Sequence, residues 1–141
     1  MGQYVQIKIN AASKWEWHPF TLTSAPEDGF FMIHMRQSGD WTGRVQNIFR
    51  QVQEKGQKPP RVAIEGPFGT SSQDVFDYET VVCCGAGIGI TPFASFLRSL
   101  LYLHRANVRV KINKVIFALY ITFLGCLTDF QFYSLLLRFF K

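Results

Sequence analysis

The chain has 141 residues, enough for one ordinary domain or two small units, and 48% of them are apolar, which suffices for a buried core. Its formal net charge of +5 favours an anionic partner such as a phosphate-bearing cofactor or an acidic membrane surface. The basic residues are scattered rather than gathered in a run, so nucleic acid is not an expected partner.

The first 58 residues predict strands and one helix. Alternation of apolar and polar residues predicts strands in QYVQIKI (3–9) and FFMIHMR (30–36), with a short strand in FTLTS (20–24) between them. An apolar stripe at helical spacing predicts a helix over 39–56, with Asp40 or Thr42 as its N-cap and Gly56 at its end. Trp41 is expected to be buried. We therefore expect an antiparallel unit over residues 1–58.

Residues 59–141 predict alternating strands and helices. RVAIEGPFG is a strand closed by a Gly-Pro turn, and ETVVCCGAG is a strand apolar enough to be buried on both faces. TPFASFLRSLLYLH predicts a helix that has Pro92 in its first turn. KINKVIFALYI predicts a further strand and DFQFYSLLLRFF a further helix. This order favours a parallel sheet.

Two features of this second part allow alternative interpretations. The apolar stretch 115–127 is shorter than the roughly 20 residues of a membrane-spanning helix, so we favour a buried strand followed by a helix over a membrane segment. Cys83, Cys84 and Cys126 match neither a metal-ligand spacing nor a disulfide framework, and they are expected to be buried free thiols. The N-terminus carries no pattern of a secretory signal.

The segment VVCCGAGIGITPF (81–93) is the first candidate site. Glycines at 85, 87 and 89 join a strand to a helix, and such a turn lets an anion approach the backbone at the helix N-terminus. The spacing is G-x-G-x-G rather than the G-x-G-x-x-G of dinucleotide-binding folds, so a merely tight turn is the alternative. GPFGT (66–70) precedes it by one strand, and in a parallel sheet both turns would line the same edge.

Two earlier motifs add further candidates. In HPFTLTSAP (18–26), Phe20 could offer a stacking face and Thr21 a hydrogen bond to a ring nitrogen, although alternation places them on opposite sides of a strand. In HMRQSGDWT (34–42), Arg36 precedes a helix start, which suits a pyrophosphate. An edge strand with a proline and a solvated strand-end arginine are the respective alternatives.

Together WHPFTLTSAP, HMRQSGDWT, GPFGTSSQDVF and GAGIGITPFASFLRSL resemble the dehydrogenase region of the NADPH oxidase family, membrane flavocytochromes that make superoxide. The resemblance extends over about residues 1–105 and implies a fragment with a ferredoxin-NADP reductase-like fold. That fold would be a partial antiparallel β-barrel for FAD over 1–58, followed by an incomplete α/β parallel-sheet domain for NAD(P) over 59–141.

The resemblance also implies roles for individual residues. The FAD ring would be held by His18, Pro19, Phe20 and Thr21, with Thr21 near the nitrogen that accepts the hydride. The FAD pyrophosphate would be held by Arg36, Gly39 and Thr42. NADPH would be held by a larger set, namely Gly66, Pro67, Gly69, Gly85, Gly87, Gly89, Thr91 and Pro92.

The family chemistry passes a hydride from the nicotinamide to FAD, and electrons then travel to haem in a membrane domain and to oxygen. That domain is missing here, so the resemblance places this region on the cytosolic side of a membrane-integral parent. The family's Trp-x-Cys-Arg-Asp pattern is also missing, because Cys126 and Asp129 have no arginine beside them. NADH therefore stays open beside NADPH, and residues 118–127 are expected to depart from the family.

Two other functions are compatible with the same motifs. One is a ferric-chelate reductase of the related membrane flavoproteins, although the Asp-Trp-Thr and Thr-Pro-Phe-Ala-Ser details favour the oxidases. The other is a truncated, inactive product that retains only residual binding.

Overall fold

The computed structural model describes residues 2–69, 73–120 and 132–138. Along the chain, the first unit consists of β1 (Tyr4–Ile9), β2 (His18–Thr21), a short 3-10 turn (Pro26–Asp28), α1 (Asp40–Lys55) and β3 (Val62–Phe68). The second unit follows with 3-10 turns at Gln73–Asp77 and Gly87–Ile90, β4 (Thr80–Ala86), α2 (Thr91–Arg105), β5 (Lys114–Tyr120) and β6 (Phe132–Arg138).

The first sheet is antiparallel and has the order β2-β1-β3. Tyr4 of β1 lies opposite Thr21 of β2, and Ile9 lies opposite Val62 of β3. Alternation along β1 buries Val5, Ile7 and Ile9 on one face, as the period of two predicts. This face packs on Trp41 and Val45 of α1, which confirms the expected burial of Trp41.

The second sheet has the order β4-β5-β6, with β4 and β5 parallel and β6 antiparallel to β5. The crossover between the parallel strands runs through α2, whose Phe96 and Leu100 pack on Cys83, Val115 and Phe117 of the sheet. The expected combination of an antiparallel unit and a small parallel sheet is confirmed.

Several predictions for the first unit are corrected by these elements. Residues 30–36 form no strand, since only Ile33 pairs, in an isolated bridge with Leu22. Helix α1 is capped by Gly39 rather than by Asp40 or Thr42, although it ends at Gly56 as predicted, with that glycine left-handed at φ 61°. Gly66 and Pro67 lie within β3 rather than in a turn that closes it.

The predictions for the second unit also change. Strand β3 was expected in the parallel sheet, but it pairs with β1 in the antiparallel one. The helix predicted over 129–140 is wrong for 132–138, which form β6. Strand β4 is covered on one face only, because Cys83 is buried whereas Val82 is 59% exposed. Cys84 is exposed rather than buried, and Cys126 lies outside the described residues. The apolar stretch 115–127 begins as β5, and its last seven residues also lie outside.

Within the described ranges, no helix combines the length and the apolar character needed to cross a bilayer. No cluster of three or more metal-ligating side chains occurs among the same residues.

The core of the second unit depends on Leu100, which is 2% exposed, whereas the next residue, Leu101, is 45% exposed. Replacing Leu100 with alanine leaves a cavity and should lower the free energy of unfolding by about 2–5 kcal/mol. Urea unfolding of both variants measures this, with Leu101→Ala as the matched control expected to change stability by less than about 1 kcal/mol. Equal losses in the two variants would contradict this description of the core.

Candidate functional site

The predicted flavin-binding strand β2 divides its side chains between two faces. The His18 ring stacks on Trp41, with 4.0 Å between ring centroids, and Phe20 lies on the same indole at 6.0 Å. Pro19 and Thr21 face the other way, where they line an open cavity of about 390 Å³ together with Gly2, Tyr4 and Gln6. The alternation expected from the sequence therefore holds, and no single surface presents all four residues.

One face of β2 is therefore packed on Trp41 through His18 and Phe20. His18 also lies 3.1 Å from Glu16 through its Nε2 atom. The indole Nε1–H of Trp41 is buried and has no hydrogen-bond partner in the described part of the chain. Pro19 and Thr21, by contrast, line the 390 Å³ cavity on the other face.

The second candidate, Arg36, lies beside the glycine-rich turn. Arg36, His34 and Thr23 from the first unit meet Gly87 and Thr91 from the second around one cavity of about 610 Å³. Its remaining lining is largely apolar and consists of Ile88, Ile90, Phe93, Ala94, Leu97 and Phe117. We call it the Arg36 cavity. It brings together residues that the sequence assigned to two different cofactors.

Hydrogen bonds order one wall of the Arg36 cavity. The Thr23 hydroxyl is buried and donates to the Met32 carbonyl oxygen at 3.1 Å. Because that hydroxyl proton is used, the His34 Nδ1–H donates to Thr23 Oγ1, at 2.9 Å. His34 is thereby held in the tautomer that carries its proton on Nδ1.

The three glycines of the turn have different surroundings. A Cβ atom on Gly85 would lie 3.1 Å from both Ile90 Cγ2 and Phe93 Cε2, so this position is filled by the chain itself. Gly87 has φ 51°, a left-handed conformation that favours glycine, and its Cβ position is 3.7 Å from Arg36 Nη1. A Cβ atom on Gly89 would meet nothing within 4 Å. Of the three, Gly89 is thus the one whose Cβ position lies in open space, while Gly87 lines the Arg36 cavity.

Two hydroxyls of the candidate set are already engaged. Thr91 Oγ1 donates to the Ile88 carbonyl at 2.9 Å, where it closes the turn before α2. Thr42 Oγ1 accepts from the backbone N–H groups of Ser38 and Gly39 and donates to the Gly39 carbonyl. Both side chains shape a helix start. Gly39 itself lines a separate open cavity of about 670 Å³ at the N-terminus of α1.

Gly66, Pro67 and Gly69 do not share a sheet edge with the glycine-rich turn, which corrects the expectation. Pro67 lines a different cavity, of about 380 Å³, that also includes Ser95 of α2 and Phe30. The carbonyl of Gly69 accepts a hydrogen bond from Gln3 Nε2 at 3.1 Å. Gly66, Pro67 and Gly69 therefore lie next to β1. Pro92, the last residue assigned to the nucleotide, lies in the first turn of α2.

Sequence analysis missed the contact that joins the two units. Asp28, in the turn after β2, has a side chain only 1% exposed. Its Oδ1 accepts from Arg98 Nη2 at 2.6 Å and from Tyr102 Oη at 2.8 Å. Its Oδ2 accepts from Arg98 Nε at 2.8 Å and from the backbone N–H of Ala25 at 2.7 Å. Ser99 Oγ donates to Glu27 beside it.

These hydrogen bonds, above all the one from Arg98, lower the pKa of Asp28 from 3.8 to about 2. The same contact raises the pKa values of Arg98 and Tyr102. No local signal in the sequence identifies this pairing, because the turn and the helix lie some seventy positions apart. We call it the Asp28–Arg98 contact.

Comparisons with known proteins agree with this architecture. Residues 1–72 match the FAD-binding domain family, and the chain belongs to that family. Its homologues include NADPH oxidase 1 of Rattus norvegicus, 51% identical over 118 residues, and NADPH oxidase 3 of Homo sapiens, 48% identical over 120 residues. These matches cover 83% and 82% of this chain but only 20% and 21% of the relatives, so the chain spans about a fifth of their length.

Solved structures show the fold alone. The cytochrome P450 reductase GcoB of Amycolatopsis superimposes with a TM-score of 0.56 at 20% identity, over 88% of this chain and 35% of that one. A variant of the ferredoxin-NADP+ reductase of Plasmodium falciparum gives 0.54 at 18% identity, over 84% and 45%. The expected ferredoxin-NADP reductase-like fold is confirmed.

Replacing Asp28 with asparagine should remove the part of the pH dependence of stability that this carboxylate causes. Because its folded pKa of about 2 lies below 3.8, the unfolded chain binds more protons between these values, and stability falls as pH drops through them. We expect Asp28→Asn to unfold more readily than wild type above about pH 4, with the difference shrinking toward pH 2. Urea midpoints across this pH range measure it.

The control for that experiment is Asp77→Asn. Asp77 pairs with Lys111 at 3.3 Å, but both side chains are largely exposed, and such pairs contribute little. A pH-independent loss in Asp28→Asn, or an equal loss in Asp77→Asn, would refute the assigned role of the Asp28–Arg98 contact.

The different surroundings of the glycines give another prediction. Alanine at 85 must displace Ile90 and Phe93, which should cost about 1–3 kcal/mol of stability. Alanine at 89 meets no atom and should change stability by less than about 1 kcal/mol. Urea unfolding of the two variants compares them, and an equal loss at both positions would contradict the packing described for the turn.

Proposed function

We propose that this chain is part of an NADPH oxidase-type flavoprotein and carries its FAD-binding and NAD(P)H-binding surfaces. The observation that supports this most directly is the Arg36 cavity, where Arg36 faces Gly87 and the start of α2. Arg36, which the sequence assigned to the FAD pyrophosphate, thus shares one space with Gly87 and Thr91, which it assigned to the nicotinamide nucleotide, and this proximity supports neighbouring sites for the two cofactors.

The Arg36 cavity suits an anionic group. Within the described part of the chain, Arg36 forms no ion pair or hydrogen bond with another side chain. No side chain caps the N-terminus of α2, where the backbone N–H of Thr91 donates to the Ile88 carbonyl and Pro92 has no N–H. What this end of α2 offers an anion is therefore the positive end of the helix dipole. A free guanidinium and a helix N-terminus together are a favourable setting for a pyrophosphate. The largely apolar remainder suits an aromatic ring.

For FAD, we propose that Pro19 and Thr21 contact the flavin ring from their open face, with the Thr21 hydroxyl near the nitrogen that accepts the hydride. His18 and Phe20 remain proposed ring-binding residues, and their stacking on Trp41 would fix the position of β2 under that ring. Gly39 and Thr42 are proposed to hold the FAD pyrophosphate at the start of α1, where Thr42 Oγ1 accepts from the N–H groups of Ser38 and Gly39 and so shapes the loop.

For the nicotinamide nucleotide, we propose Gly89 as the point of closest backbone approach, since its Cβ position is open. Gly87 and Thr91 would set the turn, with Gly85 and Pro92 on either side of them. Gly66, Pro67 and Gly69 are proposed to contact the nucleotide from β3. When both cofactors are bound, they supply the chemistry, NAD(P)H + H⁺ + FAD giving NAD(P)⁺ + FADH₂.

The remaining steps belong to the parent protein. We propose that a haem-bearing membrane domain takes the electrons one at a time and passes them to oxygen, which is reduced to superoxide. This region would lie on the cytosolic side of the membrane. A ferredoxin-NADP+ reductase of the same fold has been crystallised with 2′P-AMP, at a TM-score of 0.51 and 15% identity.

Replacing Arg36 with glutamine removes the proposed anion-binding cation and should weaken FAD binding roughly tenfold to a hundredfold. Fluorescence titration of FAD with the purified chain measures this. Arg50→Gln, an equally exposed arginine on α1, is the matched control and should leave affinity unchanged.

Mixing the FAD-loaded chain with NADPH or with NADH should bleach the flavin band, and the two rates give the nucleotide preference. A chain that binds no FAD in the micromolar range, or an Arg36 variant with wild-type affinity, would contradict the proposed function. Binding without any bleaching would instead favour the inactive, truncated product.

A further inference from the structure

The loop that joins β1 to β2 presents an exposed tryptophan. Trp15 is 87% exposed, more than any other large hydrophobic side chain in the described part of the chain. Trp17, two positions further on, is 38% exposed as well, so this loop presents two exposed indoles rather than a single surface residue, and grouped exposed apolar side chains are a feature of binding surfaces. The functional site described above does not use this residue.

The loop is held in place on both sides of Trp15. Arg44 of α1 donates through Nε to the Ala12 carbonyl at 3.0 Å, and its Nη2 lies 3.5 Å from Glu16 Oε1. The other oxygen of Glu16 lies 3.1 Å from His18 Nε2. Backbone N–H groups of Ala12 and Ser13 donate to the Ile9 carbonyl. Trp15 therefore projects from a loop whose backbone is already fixed, so binding through Trp15 would cost little additional conformational entropy.

The loop also carries positive charge. Lys14 precedes Trp15 in the sequence and forms no ion pair within the described residues, and Lys8 Nζ lies 4.8 Å from the centre of the Trp17 ring. Glu16 is the single acid of loop residues 10–17, and Arg44 offsets its charge. Exposed tryptophan and lysine in one loop match the membrane–water interface, where tryptophan prefers the headgroup level and lysine meets anionic lipids.

We propose that the loop over residues 10–17 is a lipid-contact site, in which Trp15 enters the headgroup region of an anionic bilayer and Lys8 and Lys14 meet its phosphates. A protein partner is less favoured, because a stable interface buries about 800 Å² per side from about 20–30 residues, and the loop over 10–17 has eight residues. The proposal does not depend on cofactor binding.

The test is co-flotation of the full chain with vesicles of phosphatidylcholine, alone or with about a third phosphatidylserine. Trp15→Ser should lower the bound fraction about tenfold on the anionic vesicles. Lys14→Glu should lower it by about fivefold or more on those vesicles and leave the weak binding to neutral ones unchanged. Added salt should weaken wild-type binding to the anionic vesicles.

Tyr78→Ser is the matched control, because Tyr78 is an aromatic residue 63% exposed on the second unit, and it should float like wild type. Circular dichroism of each variant confirms that the fold is retained. The proposal is overturned if wild type does not associate with anionic vesicles, if Trp15→Ser floats as well as wild type, or if Tyr78→Ser loses as much binding. Equal binding to neutral and anionic vesicles would overturn the part assigned to the lysines.

Discussion

The arrangement of the two units depends on a buried carboxylate. Asp28 is almost completely removed from solvent, and a charge in that position is tolerated only because four donors surround it. Two of those donors belong to Arg98, and helix α2 carries Arg98 on the same rigid element that begins at Thr91 beside the Arg36 cavity. The contact therefore sets how far Arg36 lies from Gly87, and with it the width of the space between the two units.

The glycine-rich turn illustrates why a motif is not a uniform surface. Its three glycines have the same side chain for different reasons: Gly85 gives room to Ile90 and Phe93, Gly87 adopts a left-handed backbone, and Gly89 leaves open space. Similarly, the hydroxyls of Thr42 and Thr91 bind backbone atoms of their own loops. In these short segments, residues that stabilise the backbone conformation stand next to residues that are open to a ligand.

The periodicity of apolar residues predicted those elements that bury one face against the rest of the fold. The alternation in β1 and the helical stripe of α1 both appear in the structure, as does the strand–glycine–helix order of β4 and α2. The assignment of β3 to the wrong sheet has a physical cause, because pairing is decided by a distant strand and not by its own residues. The apolar run that forms β6 has no clear period, so length and composition alone suggested a helix. The pairing of Asp28 with Arg98 likewise leaves no trace in the local sequence.

Strand β1 is the middle strand of its sheet. One of its edges pairs with β3, which is distant in the sequence, and there Tyr4 lies opposite Phe68. The second unit, by contrast, closes through the adjacent segments β4, α2 and β5. Folding of the first unit thus requires closure of a long loop, which is slow, whereas the second can assemble from neighbouring segments. During synthesis, one edge of β1 must wait for β3 to emerge from the ribosome, and for that interval its unpaired backbone N–H and C=O groups are open to pairing with another strand.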